Sequence, residues 1–256
     1  MKFKLLAIAA VLAASGVANA ATFSSGADGN GGLFFSIWDA NNSYSLNLGT
    51  TIDGFQSTVA GSGLVDLSWA ADATFTSFLS TADVASLKWN VVATDVAGAR
   101  RLLETFTAPA PSPTVDNSLV RSVAAAASGF AGAVNNSLAT ANSAIYAVGG
   151  QGTGYAGQPA FDTVNLGFSN VGSVANNSYA SGLNFMRIDA LATGLLKSVN
   201  TSYADNGTAV KVYLDGSNAL HIAAVAAVPE PENFAMLLAG LGLMGAIARR
   251  RNKKSV

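Results

Sequence analysis

Leu33-Phe34-Phe35-Ser36-Ile37-Trp38, Asp39-Ala40-Asn41-Asn42 and Ser43-Tyr44-Ser45-Leu46-Asn47-Leu48 carry the clearest structural signal in this chain. The last run alternates polar with apolar residues, the period of a strand whose side chains point to opposite faces, and the Asp/Asn-rich quartet before it is turn chemistry. A β-hairpin is predicted. Working outward, 64–69, 74–79, 87–94 and 100–107 read as further strands, separated by Gly, Asp and Ser at the regular intervals expected of a sandwich or barrel.

The composition then shifts. Ala108-Pro109-Ala110-Pro111-Ser112-Pro113 is a Pro-rich connection that cannot pair inside a sheet, and it leads into an Ala-rich helical insertion over 117–148. Asp116 or Asn117 is placed to cap a first helix through Leu119, Val123 and Ala127, ended by Gly129, with a second over 137–148. A Gly- and Gln-rich loop occupies 149–159. The β pattern resumes at 163–168, 183–189, 208–214 and 219–225, with Asp205-Asn206-Gly207 and Asp215-Gly216-Ser217 as tight turns. The fold class expected is therefore mainly β, an antiparallel β-sandwich or barrel-like domain with an Ala-rich helical insertion, plus a signal helix at the amino end and a hydrophobic helix at the carboxyl end.

Charge narrows the function. The whole chain has a formal net charge of −1, but between residues 21 and 227 there are 7 basic against 13 acidic residues, a net of −6. Nucleic acid and anionic membrane surfaces are disfavoured as partners. No cysteine is present, so an exported domain would hold together without disulfides. The surface is rich in hydroxyl and amide groups, a composition suited to a polysaccharide-bathed setting.

Both ends read as addresses. Lys2 and Lys4 precede an apolar stretch, and Ala18-Asn19-Ala20 supplies the small residues signal peptidase accepts, which makes 1–20 a removable signal peptide delivered by the general secretion machinery. At the other end Val228-Pro229-Glu230-Pro231 is followed by 15 uncharged apolar residues, 234–248, and then by Arg249, Arg250, Arg251, Lys253 and Lys254. At about 1.5 Å per residue that run makes a helix of roughly 22 Å, shorter than the ~30 Å hydrocarbon core. It can enter the inner membrane transiently but is a poor permanent span, and the basic cluster beyond it stays cytoplasmic. Pro229 and Pro231 keep the residues just outside extended and open to a protease.

This three-part end, 228–254, resembles the PEP-CTERM sorting signal of Gram-negative bacteria, also described as an ice-binding-protein C-terminal domain. Pro229, Glu230 and Pro231 match the motif that names it, Phe234 takes the aromatic position after it, and Leu238-Ala239-Gly240-Leu241-Gly242-Leu243 matches the usual centre of the helix. Asn233 stands where Ser or Thr is common. The resemblance covers about a tenth of the chain. It implies recognition by exosortase, a multi-pass membrane cysteine peptidase or transpeptidase, and export to the cell surface or exopolysaccharide.

Catalysis has little material. A cysteine nucleophile is impossible, and a serine triad would need His221, the only histidine, which reads as a solvent-facing strand residue sharing a face with Ala223. Gly152-Thr153-Gly154-Tyr155-Ala156-Gly157 has the spacing of a phosphate loop without the strand before and helix after that such a loop requires. Asp28-Gly29-Asn30-Gly31-Gly32 with Asp39 is a partial echo of a calcium loop that no Glu closes. Asp53, Asp66, Asp72, Asp95, Glu104 and Asp162 could supply a hydrolytic carboxylate pair, but nothing singles out two, and turn carboxylates are the default. No catalytic residue, metal or cofactor is expected. The leading expectation is an exported, exosortase-processed surface or matrix protein with a non-catalytic structural or binding body. The alternatives are an extracellular polysaccharide hydrolase and an ice-binding protein, the latter weakened because only Thr74-Phe75-Thr76 and Thr105-Phe106-Thr107 have Thr-x-Thr form.

Overall fold

The expected hairpin forms: β1 (Gly32–Trp38) pairs antiparallel with β2 (Asn42–Thr51), with Phe35 opposite Leu46 and Trp38 opposite Ser43. Asp39 makes the turn, its Oδ1 accepting the backbone N–H groups of Asn41 and Asn42 at 2.8 Å each. The computed structural model describes residues 22–61, 64–107, 114–136, 138, 142–148, 154–157, 172–173, 182–190 and 196–224. The strand expected at 163–168 and the connection at 108–113 lie outside them. The chain divides after Ala224, and the carboxyl-terminal unit, Val225–Val256, also lies outside the described residues.

In chain order the body contains β1, β2, α1 (Ile52–Val59), β3 (Asp66–Trp69), α2 (Ala73–Leu79), a 3-10 turn (Val84–Ser86), β4 (Lys88–Thr94), β5 (Arg101–Phe106), α3 (Asn117–Asn135) and β6 (Ser143–Ala147). The short β7 (Gly172–Ser173) follows, then β8 (Leu183–Asp189), β9 (Val199–Ser202), β10 (Ala204–Asp205), β11 (Thr208–Leu214) and β12 (Leu220–Ala224). The main path across the sheet is β3-β12-β11-β8-β5-β4-β1-β2-β6, antiparallel throughout. It is one curled sheet, a half-barrel, and not the two stacked sheets of a sandwich.

Two cores explain why one sheet suffices. Every residue of β1 is buried. Leu33, Phe35 and Ile37 face a core with Phe55 of α1 and Phe75 and Phe78 of α2, while Phe34 and Trp38 face another with Val123, Ala127, Phe130 and Val134 of α3. Helices covering both faces of a curled sheet remove its apolar surface from water as a second sheet would.

The helices correct the sequence reading. Thr74–Leu79 was expected as a strand; it is helical because Asp72 accepts the Phe75 N–H at 2.6 Å and because Phe75 and Phe78, three apart, share the buried side. α1 starts at Thr51, whose Oγ1 accepts the Gly54 N–H at 3.2 Å. α3 runs through Gly129 and Gly132, since its buried stripe of Val123, Ala127, Phe130, Ala131 and Val134 continues past both. A helical glycine costs about 1 kcal/mol against alanine, less than burial of Phe130 and Val134 returns. Asp116 stands at the N-cap but makes no side-chain cap bond there; it pairs with Lys197 at 2.9 Å. The second helix expected over 137–148 is replaced by β6, which hydrogen-bonds to β2 with Tyr44 opposite Ile145.

Candidate functional site

Most carboxylates of the body are engaged in holding it together. Asp95 is 1% exposed and accepts the Gly31 N–H at 3.0 Å and Arg101 Nε at 2.5 Å. Arg101 reaches on to Asp53 Oδ1 at 2.6 Å and Gln56 Oε1 at 3.1 Å, both on α1. Burial alone would lower the pKa of the guanidinium, but its hydrogen bonds to Asp53 and Asp95 raise it above the ordinary value. Asp72 receives the Tyr44 and Ser143 hydroxyls at 3.0 and 2.6 Å besides capping α2. Burial first, and then the charge of Asp72, push the Tyr44 phenol well up. Asp205 accepts the Val65 N–H at 2.7 Å.

These contacts revise the candidate list. Asp95 and Glu104 are buried rather than turn carboxylates at the surface, Asp162 lies outside the described residues, and Asp66 is exposed on β3. Asp28-Gly32 and Asp39 stand at opposite ends of β1, about 20 Å apart for an extended strand of that length, so they cannot share one ion. Asn30 Oδ1 instead accepts the Asp53 N–H at 2.9 Å. Gly26 takes a positive φ of 68° against the Thr94 carbonyl, where a Cβ would stand 1.7 Å from the oxygen, which fixes the segment before β1 as glycine-dependent. Among the described residues no group of three or more His, Asp or Glu side chains is placed to hold a metal. Thr74 and Thr76 lie on α2, and Thr105 is fully buried, so neither Thr-x-Thr forms an exposed strand array.

Asp39 gives the body a pH signature. Burial pushes its carboxyl up, but backbone N–H groups from Asn42, Asp83 and Asn41 outweigh it and hold the group below its ordinary value of 3.8. Asp215 is also held low, by hydrogen bonds from Ser217, His221 and the Ala219 N–H. A carboxyl lowered by folding contributes stability that is complete above its unfolded pKa and is lost as pH falls through its folded pKa. The melting temperature should therefore be flat with respect to these two groups above about pH 5 and decline below about pH 4. Thermal melts of the protein and of Asp39→Asn test this: the variant should decline less steeply in acid, and parallel curves would remove Asp39 from the account.

A second constellation is not consumed by the core. β11 and β12 form a hairpin in which Asp215 N–H donates to the Ala219 carbonyl, and its register sets Tyr213 opposite His221 and Lys211 opposite Ala223. β3 continues the rows, with Ser68 opposite His221 and Asp66 opposite Ala223. Strand alternation turns Val210, Val212, Leu214, Leu220 and Ile222 into the core and leaves Lys211, Tyr213, His221, Ser68 and Asp66 on the other side. His221 and Ala223 share a face as the sequence indicated. His221 is not simply solvent-facing: its ring stacks on Tyr213 at 4.8 Å and 8°, and its Nε2 lies 3.1 Å from Asp215 Oδ2. Sequence reading missed Tyr213. The signal was the five-residue hairpin loop 215–219, whose length sets 214 against 220 and thereby 213 against 221.

The sorting residues Pro229, Glu230 and Pro231, the basic cluster Arg249, Arg250, Arg251, Lys253 and Lys254, and the signal peptidase residues Ala18 and Ala20 lie outside the described residues. The comparison with known proteins falls on the carboxyl-terminal unit. Residues 227–252 match the PEP-CTERM protein-sorting motif. This motif marks an exosortase substrate, so the chain is an exported protein sorted to the cell surface. No curated protein and no solved structure matches the chain.

Proposed function

We propose that this chain is a surface or exopolysaccharide-associated protein, processed by exosortase, whose body is a non-catalytic structural or binding module. The sorting half of the reading rests on the motif at 227–252. In this scheme signal peptidase removes 1–20, the segment 234–248 enters the inner membrane transiently with Arg249–Arg251, Lys253 and Lys254 held inside, and exosortase acts at Pro229-Glu230-Pro231 before the body passes to the outer surface or matrix. The sequence between the last strand and the motif is short: β12 ends at Ala224 and Pro229 follows five residues later.

The body half draws support from how its acids are used. Asp39, Asp72, Asp95 and Asp205 each accept backbone N–H groups, and Arg101 neutralises Asp53 and Asp95 together. Such carboxylates are committed to structure and poorly placed for the proton transfers of glycoside hydrolysis. Ser68 stands across from His221, yet no hydrogen bond between the two is found among the described residues, so the pair lacks the nucleophile–base contact of a serine hydrolase.

Expression with and without a matching exosortase tests the sorting half. Intact-mass measurement should show loss of the carboxyl-terminal segment only when the enzyme is present, and replacement of Pro229, Glu230 and Pro231 by alanine should abolish that loss. An unchanged mass and unchanged location with the enzyme present would refute it.

A further inference from the structure

We propose that the face of β11 beside β8 binds an uncharged polysaccharide, with the Tyr213 ring as the platform on which a pyranose stacks. The proposal rests on the reading of the body as a binding module and names the ligand class of that module.

The geometry begins with the two parallel rings. His221 covers one face of Tyr213, and the hydrogen bond to Asp215 fixes the imidazole in that position. The other face of Tyr213 is directed towards β8. There the register, with Val212 opposite Leu183, places Gly182 against Tyr213. A Cβ on Gly182 would come within 3.2 Å of the Tyr213 Cβ, so the position that could crowd the ring carries no side chain. Its φ of 76° is the left-handed conformation that favours glycine. Tyr213 is half-buried, and among the described residues no second ring stacks on this side of it; an aromatic face is an electron-rich surface, and the C–H bonds on one side of a pyranose are its natural complement.

Polar groups flank the ring as a sugar requires. Lys211 donates to Asn184 Oδ1 at 2.6 Å, which sets an ammonium and an amide on the same β8 side of the ring. Donors and acceptors at the edge of an aromatic platform suit hydroxyls around a ring rather than an apolar partner. Burial, and then the charges of Asp66 and Asp215, hold the Tyr213 phenol above its ordinary value, so it remains an O–H donor at neutral pH.

Among the described residues, this end of the sheet is also outside the cluster packed under α3. The cluster beneath α3 draws on β1, β4, β5, β6 and β8 but on no residue of β3, β11 or β12. Charge selects among glycans. Asp66 and Asp215 outnumber Lys211 locally, and the segment 21–227 carries a net charge of −6. An anionic polymer would be repelled, and an uncharged one would not.

The test uses the full-length chain in a detergent without a sugar headgroup, run in native gels containing hydroxyethyl cellulose, dextran, galactomannan or alginate. Retardation is expected with at least one of the three neutral polymers. Tyr213→Ala should weaken it tenfold or more, Tyr213→Phe should retain it because the ring remains, and Lys197→Ala, far from this face in the chain, should match the parent. Tyr213→Leu keeps a bulky apolar side chain on β11 and serves as the ring-deletion variant should Tyr213→Ala unfold. Folding is checked by melting temperature. Retardation by none of the neutral polymers, equal retardation of parent and a folded ring-deletion variant, or stronger retardation by alginate would overturn the proposal. Each of those results would leave tail removal by exosortase intact, so the two readings fail separately.

Discussion

Replacing Arg101 by methionine should destabilise the folded body by about 3–5 kcal/mol, the cost of stripping a buried ion of its partner. For a body of this size that corresponds to a fall in melting temperature of about 10 °C. The guanidinium side chain is 14% exposed and Asp95 is 1% exposed, so solvent cannot replace what the substitution removes. Asp53, at 58%, is the outer arm of the pair and contributes little by comparison. Asp95→Asn removes the charge and keeps an oxygen for the Gly31 N–H, which predicts that adding it to Arg101→Met recovers part of the loss. Equilibrium denaturation of the two single variants and the double variant measures this. A double variant less stable than Arg101→Met alone would show that uncompensated charge is not the source of the effect.

Phe35→Ala should cost a comparable amount, about 3–5 kcal/mol. Phe35 is 1% exposed and its ring lies 6.3 Å from Tyr44, 6.1 Å from Phe75 and 6.3 Å from Trp89, so one side chain joins β1 to β2, to α2 and to β4. All three of those contacts are oblique or edge-on, the arrangement that aromatic quadrupoles favour. Phe35→Leu should retain more than half of the stability, because it keeps most of the volume and loses chiefly the ring contacts. The denaturation midpoint checks both substitutions. A Phe35→Ala loss below about 1 kcal/mol would mean that α2 does not depend on this junction.

The sequence made the hairpin plain because Ser43 to Leu48 keeps a period of two and Asp39 supplies its own turn bonds. The same rule misled at Thr74 to Leu79. There Thr-Phe-Thr alternates like a strand, yet Phe75, Phe78 and Leu79 also fit a helical spacing, and the cap from Asp72 decides the matter. A four-to-seven-residue window holds too few repeats to separate the two periods. Alanine hid β6 in a similar way. Ile145 and Tyr146 favour a strand, but the Ala-rich surroundings masked them until pairing with β2 was available. Single sheet against sandwich was not legible at all, since alternation gives the face of a residue and not what covers that face.

The candidate sites differ in the same respect. The sorting signal is linear, a motif, an apolar length and a charge cluster in order, and was readable without any fold. The Tyr213 platform exists only through register. It needs the 215–219 loop to set His221 against one side of Tyr213, and the pairing with β8 to set Gly182 where it leaves room on the other.

The position of β12 in the sheet has a mechanical consequence. This last described strand is inserted between β11 and β3 and hydrogen-bonded to both, instead of lying at a margin. Backbone hydrogen bonds run across an antiparallel pair, so a pull along the strand axis from the residue after Ala224 strains them in shear, all together, where a peeling force would break them singly. A protein hauled by its carboxyl end would thus meet the load with its most resistant attachment.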